Sequence, residues 1–210
     1  CCRLNNVEGL IYASSSSVYG GSNMIPFSEK NSVDNPFSIY AATKKSNELM
    51  ARAYNNLYNL RSTGLRFFTV YGPWGRPDMA YYIFTKRIIN NEPIKVFNYG
   101  RMKRDFTYID DIVMGLKEAI IRNYECEVIN LGNSKSENLL DMLKIIEGLV
   151  GRNANIKLEP MQLGDVKNTY ADISRAKNLL SFKPKIDLKD GLNAFVLSLI
   201  HISEPTRQEA

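Results

Sequence analysis

Histidine is almost missing from this chain: His201 is the only one in 210 residues. A single histidine argues against histidine-based proton transfer and a typical zinc site, so no metal is expected. Cysteine is scarce too, and Cys1, Cys2 and Cys126 show no metal-ligand spacing. An odd set of unspaced thiols reads as reduced cysteine and a cytoplasmic setting. No apolar run approaches the ~20 residues of a membrane span. The stretch from Phe195 to Ile202 is short and carries Ser198 and His201. A Gly-x-Gly-x-x-Gly dinucleotide fingerprint is absent, as are an initiating Met and a readable signal peptide.

What is present reads as an ordinary folded chain, 44% hydrophobic and 23% charged. Its net charge of +5 is spread along the sequence and weakly favours an anionic partner such as a phosphate-bearing small molecule. The 12 Tyr and nine Phe are not interleaved with a basic stripe, so a nucleic-acid partner is not expected.

The order of elements is that of an α/β protein with a parallel sheet. Leu10 to Ala13 reads as a buried strand ending in the hydroxyl run Ser14-Ser15-Ser16-Ser17. A polar loop leads to a helix running toward Asn59, with Leu49, Ala53 and Leu57 on its apolar face. Thr63 to Val70 is a second buried strand, stopped by Tyr71-Gly72-Pro73. Strand, helix and strand in this order imply a right-handed parallel crossover. A helix from about Tyr81 to Ile89 and a short strand from Ile94 to Phe97 follow. Asp110 is placed to cap a helix running to Ile121, and Ser136 to cap one that ends at Gly151. Glu127 to Leu131 lies between them as a strand. Strand Ile156 to Leu158 and helix Ser174 to Leu180 complete the pattern.

Tyr40-Ala-Ala-Thr-Lys44 is the chemically suggestive motif. Residues four apart share a helix face. A free phenol is a poor base at neutral pH, and a nearby ammonium favours the phenolate. Tyr40 could then take a proton from an alcohol whose carbon gives up hydride, with Ser15 holding the same oxygen. Alone the motif is weak, because an exposed helix face with a snorkelling lysine explains it as well. The hydroxyl-ended strand ahead of it strengthens the reading.

Four segments together resemble a known family. They are Tyr12 to Gly20, Tyr40-x-x-x-Lys44, Arg66-Phe-Phe-Thr-Val-Tyr-Gly-Pro73 and Arg104-Asp-Phe-Thr-Tyr-Ile-Asp-Asp111. They look like the extended short-chain dehydrogenases/reductases, and within these the nucleotide-sugar epimerases. Gly75-Arg-Pro-Asp-Met-Ala80 and Met102 to Thr107 look like the UDP-glucuronate 4-epimerase branch. The resemblance implies an incomplete Rossmann-like parallel sheet with a smaller C-terminal substrate lobe, NAD as cofactor and a UDP-sugar as substrate. It implies Tyr40 as base, Lys44 on the nicotinamide ribose and Ser15 on the sugar 4-hydroxyl. Arg104 would meet the pyrophosphate, Phe97 the uracil and Asp165 the uridine ribose. Galactose epimerases have Arg where Gln162 stands here.

Substrate choice falls to Arg76, Thr69, Ser16 and Ser17. A desolvated C6 carboxylate needs a charge partner or several donors. Related dehydratases have an Asp-Glu pair where Ser16 and Ser17 stand. Without an acid there, the 4-keto sugar is expected to rotate and take hydride back on its other face, which is 4-epimerisation. The resemblance also implies a homodimer through the Tyr40–Lys44 helix, with Met50 and Tyr54 at the interface, although core packing explains those two equally well.

Residues 1–73 and 104–132 are expected in the nucleotide-binding core, and 74–103 and 133–195 in the sugar-nucleotide lobe. Residues 196–210 read as a non-native tail. At ~30 residues per βαβ unit, roughly 100 residues of such an enzyme would precede Cys1. The 210 residues alone are therefore expected to bind NAD poorly and turn over nothing, while the parent enzyme is an epimerase. Its rivals are an epimerase of UDP-glucose or a UDP-N-acetylhexosamine, or a non-catalytic binding module.

Overall fold

The computed structural model describes residues 1–22, 24–162 and 164–203. Of the segments singled out above, Leu163 and residues 204–210 lie outside the described residues.

Three parallel strands form the central sheet in the order β1-β2-β7: Leu10–Ser15, Ser62–Phe67 and Cys126–Leu131. Leu10 lies opposite Ser62 and Ser15 opposite Phe67, while Ser62 and Phe67 face Cys126 and Leu131. Parallel pairing demands a crossover, and helix α1 (Ile39–Tyr58) supplies it between β1 and β2. The Ser38 hydroxyl caps α1 by accepting from the Ala41 N–H at 3.1 Å.

The expected second strand is two strands. β2 ends at Phe67, and β3 (Thr69–Tyr71) pairs instead with β6 (Phe106–Tyr108). The exchange happens at Phe68, whose N–H donates to Leu131 O while the Thr69 N–H donates to Asp105 O. An apolar run cannot show that its two halves pair with different strands.

Helix α2 (Ala80–Ile89) leads to β4 (Pro93–Val96), which pairs in parallel with β9 (Asn155–Leu158). Two-residue β5 (Lys103–Arg104) pairs antiparallel with β8 (Glu137–Asn138). Helices α3 (Ile109–Arg122), α4 (Leu139–Val150), α5 (Ser174–Leu180) and α6 (Leu188–Ser203) complete the fold.

Two apolar cores result. One joins Val18, Phe27, Leu65, Ile129, Ala176 and Leu180 around the central sheet. The other joins Tyr71, Tyr81, Ile94, Met142, Ile146 and Phe195 among α2, α4 and α6. α5 packs its buried Ala176 and Leu180 into the first core, on the central sheet, although its sequence position suggests the smaller lobe. α6 carries its apolar face past Phe195, with Val196 and Leu199 buried in the second core. The helical pattern thus continues through residues where the sequence suggests it stops.

Three further expectations change. α1 buries Ala41, Glu48 and Asn55, whereas Leu49 and Leu57 are 58% and 70% exposed. Its sheet-facing stripe is largely polar, and periodicity alone selects the wrong face. Asp110 sits in the first turn of α3 without capping it; the neighbouring Asp111 instead accepts from the Lys185 and Ile186 N–H groups. α4 begins after Asn138, and the Ser136 hydroxyl is used at Asn168 Oδ1 and Thr169 O.

Candidate active site

The tips of β1 and β2, the start of α1 and the loop after β3 enclose a cleft of about 440 Å³. Ser15, Tyr40, Lys44, Trp74 and Arg76 line it. Tyr40 is 52% exposed, so its phenol is open to a ligand. The Lys44 ammonium lies 5.6 Å from the Tyr40 ring centroid and donates to Ala13 O at 2.9 Å. Three N–H groups on an ammonium leave donors free beyond that bond.

Ser15 ends β1 in extended conformation and caps the 3-10 turn Ser16–Tyr19, accepting from the Ser17 N–H at 3.1 Å. Its hydroxyl also donates to Ser17 Oγ at 3.0 Å. Ser16 and Ser17 follow in that turn, directly after the cleft-lining Ser15.

Arg76 is engaged already. Its Nε and Nη2 donate to the two oxygens of Asp78 at 3.1 and 2.5 Å. That bond and the adjacent charge raise the Arg76 pKa and lower that of Asp78.

A second cleft of about 430 Å³ adjoins the first, sharing Met79 and Tyr81. Thr69, Phe97, Arg104, Gln162 and Asp165 line it. Phe97 opens a turn in which Asn98 and Tyr99 hold positive φ. Arg104 Nη2 donates to Asp165 Oδ1 at 2.6 Å, and burial lowers the Arg104 pKa. The eight cleft-lining candidates thus divide into two groups. Ser15, Tyr40, Lys44 and Arg76 share one end, and Thr69, Phe97, Arg104 and Asp165 the other.

Several polar residues beneath the clefts carry no role in the sequence reading. Asp105 is fully buried and accepts from the N–H groups of Asn133, Ser134 and Ala171 at 2.6, 3.1 and 3.0 Å. Burial pushes its pKa up to about 6. Glu48 and Arg66 form a buried ion pair behind Ser14. Arg66 and Asp105 stand inside the quoted motifs, which was the available signal. Glu48 lies two helical turns beyond Tyr40. Among the described residues, no helix is long and apolar enough to cross a membrane, and no cluster of His, Cys, Asp or Glu could hold a metal ion.

Residues 1–132 match the NAD dependent epimerase/dehydratase family. The chain belongs to that family. Within it, an uncharacterized Methanocaldococcus jannaschii protein is 53% identical over 193 residues, covering 92% of this chain and 59% of that protein. UDP-glucuronate 4-epimerase 4 of Arabidopsis thaliana is 46% identical over 213 residues, covering 93% and 49%. The chain therefore spans less than two thirds of either relative. Among solved structures, Bacillus cereus UDP-glucuronic acid 4-epimerase in complex with UDP-glucuronic acid and NAD aligns with a TM-score of 0.91 and 35% identity, over 96% of this chain and 64% of that one. UDP-N-acetylglucosamine 4-epimerase from Methanobrevibacter ruminantium, in complex with UDP-N-acetylmuramic acid, aligns with a TM-score of 0.89 and 30% identity, over 96% and 66%. These epimerase/dehydratase relatives share the Rossmann-like α/β architecture described above.

Proposed function

We propose that the parent enzyme of this chain is an NAD-dependent 4-epimerase of a UDP-sugar, interconverting UDP-glucuronate and UDP-galacturonate. The supporting observation is that Ser15, Tyr40, Lys44 and Arg76 line one cleft, with no acid at positions 16 and 17. The named activities of the Arabidopsis and Bacillus relatives support the same class.

Tyr40 takes the proton of the sugar 4-hydroxyl and later returns it. Ser15 holds the same oxygen by a hydrogen bond. Arg104 meets the pyrophosphate, where a guanidinium matches phosphate oxygens. Phe97 supports the uracil, Asp165 the uridine ribose, and Thr69 the sugar-nucleotide. Arg76 offers its fork to the C6 carboxylate. Ser17, with Ser16 beside it, acts through the Ser15 hydroxyl. With no carboxyl group there to protonate a leaving hydroxyl, elimination is disfavoured and the keto sugar is reduced again.

Lys44 would hold NAD by its nicotinamide ribose, and the bound cofactor would supply hydride acceptance and return at C4. The residues present fit its nicotinamide end, since Lys44 retains donors for ribose hydroxyls beyond its bond to Ala13 O. The glycine fingerprint for the pyrophosphate is not in these 210 residues. The parent enzyme is a cytoplasmic homodimer in this reading, using the exposed face of α1 where Met50 and Tyr54 lie. Sedimentation of a Tyr54→Glu variant as a monomer supports that; an unchanged dimer refutes it.

The test is direct. Parent enzyme supplied with NAD and UDP-glucuronate should yield UDP-galacturonate on anion-exchange chromatography. No product overturns the reading. A neutral UDP-hexose or UDP-N-acetylhexosamine is the second candidate, favoured by Asp78, which already neutralises Arg76.

A further inference from the structure

The helix that carries Tyr40 and Lys44 is fastened to the sheet by polar groups. Its buried stripe is Ala41, Glu48 and Asn55. Apolar contact is non-directional, so an apolar stripe would hold the helix down without fixing where it sits. Hydrogen bonds fix position. Lys44 Nζ donates to Ala13 O at 2.9 Å. One turn further, Glu48 accepts from Ser14 Oγ at 2.6 Å and from Arg66 Nε and Nη2 at 2.8 Å each. Asn55 Nδ2 donates to Glu125 O at 3.0 Å.

Ser14 and Arg66 are register partners on neighbouring strands β1 and β2. Glu48 therefore grips both strands at one level, one residue before Ser15. The grip extends across the sheet to Asn130 on β7, the register partner of Arg66. Arg66 Nη1 donates to the Tyr19 hydroxyl at 2.9 Å, and that hydroxyl donates to Asn130 Oδ1 at 2.7 Å. The Arg66 and Glu48 side chains are 4% and 6% exposed. A buried ion pair is weak evidence for stability, because desolvation offsets much of the attraction. Its directionality is what an apolar pair would lack.

We propose that the Glu48–Arg66 pair is a positioning element, which aligns Tyr40 and Lys44 on α1 with Ser15 at the tip of β1. It acts through two short paths. Glu48 holds Ser14, the neighbour of Ser15, and it holds α1 one turn from Lys44. Proton transfer tolerates little misalignment, and a displacement of about 1 Å costs on the order of a hundredfold in rate. The inference rests on the reading of Tyr40 as the proton acceptor.

Three variants test it: Glu48→Gln, the apolar pair Glu48→Met with Arg66→Met, and the mild Ser14→Ala, which removes only one bond of the network. In the 210-residue chain, the Tyr40 ring resonances, assigned with Tyr40→Phe, should shift in all three, while Ser14→Ala keeps the wild-type melting temperature. In the parent enzyme, Glu48→Gln and the apolar pair should lower kcat by about tenfold to a hundredfold, with KM for the UDP-sugar within about twofold. Unmoved Tyr40 resonances in Ser14→Ala and Glu48→Gln overturn the proposal. So does an apolar pair that folds and keeps wild-type kcat. Should the parent enzyme convert no UDP-sugar at all, the functional reading fails, while the Tyr40 resonances still decide the positioning role.

Discussion

Arg76 and Asp78 face each other as a two-bond fork, two residues apart in sequence and both largely exposed, with Arg76 lining the first cleft and Asp78 the second. In the proposed function, a substrate carboxylate competes with Asp78 for the Arg76 fork. Water screens exposed pairs and leaves them weak, so the exchange is cheap. Arg76→Ala should raise KM for UDP-glucuronate by about tenfold or more, the loss of a charge-assisted bond, and leave UDP-glucose almost untouched. Asp78→Asn should lower KM for the carboxylated sugar alone. Steady-state kinetics with both sugars check this, and equal effects on both would remove Arg76 from substrate choice.

Tyr40→Phe keeps the ring and deletes the proton acceptor. The expected loss is about a hundredfold to ten-thousandfold in kcat, the usual range for general acid–base catalysis. UDP-sugar affinity measured by calorimetry should stay the same. A variant retaining full turnover would mean that another group moves the proton.

Arg104 serves ligand binding more than chemistry in this reading. It stands in the second cleft, hydrogen bonded to Asp165. Arg104→Ala should raise KM for any UDP-sugar by about tenfold to a hundredfold, as expected for charge-assisted bonds, whatever the sugar. Free UDP, measured as a competitive inhibitor, should weaken in parallel. An unchanged inhibition constant would place the pyrophosphate elsewhere.

Asp105 and Glu48 give the stability a pH dependence of opposite sign. Burial raises the folded-state pKa of Asp105 to about 6, above its ordinary value of about 3.9. The folded state then holds the proton more tightly, so this group adds stability as pH falls from about 6 toward 4. For Glu48, burial alone would raise the pKa, but the Arg66 bonds and charge hold it below the usual range. Its contribution is present at neutral pH and is lost as pH falls below that range. Urea unfolding at pH 7 and pH 3 separates them. The stability gap between wild type and Asp105→Asn should widen at the lower pH, and that between wild type and Glu48→Gln should narrow. Gaps that do not change with pH would contradict both.

The grouping of Ser15, Tyr40 and Lys44 in one cleft was legible because its signal is local. Tyr40 and Lys44 are one turn apart on a helix that the pattern places well, and Ser15 follows a short apolar run. Glu48 was hidden because its partners, Ser14 and Arg66, are 34 and 18 residues away and meet it only across the β1–β2 seam. The same polar stripe misled the choice of the buried face of α1, since apolar periodicity marks a buried face only when that face is apolar. The break at Phe68 was equally invisible. Both halves of the run are buried, and the change of strand partner is a tertiary event.

Asp105 also bears on the order in which the protein assembles. Its backbone N–H partners lie 28, 29 and 66 residues downstream. Contacts that distant form slowly, because chain closure precedes any gain from them. During synthesis this carboxylate waits for Ala171 to leave the ribosome before its last donor arrives. The buried ring of donors around Asp105 is thus expected to close late, and pulse-labelled hydrogen exchange should find the Ala171 amide protected after the amides of β1 and β2.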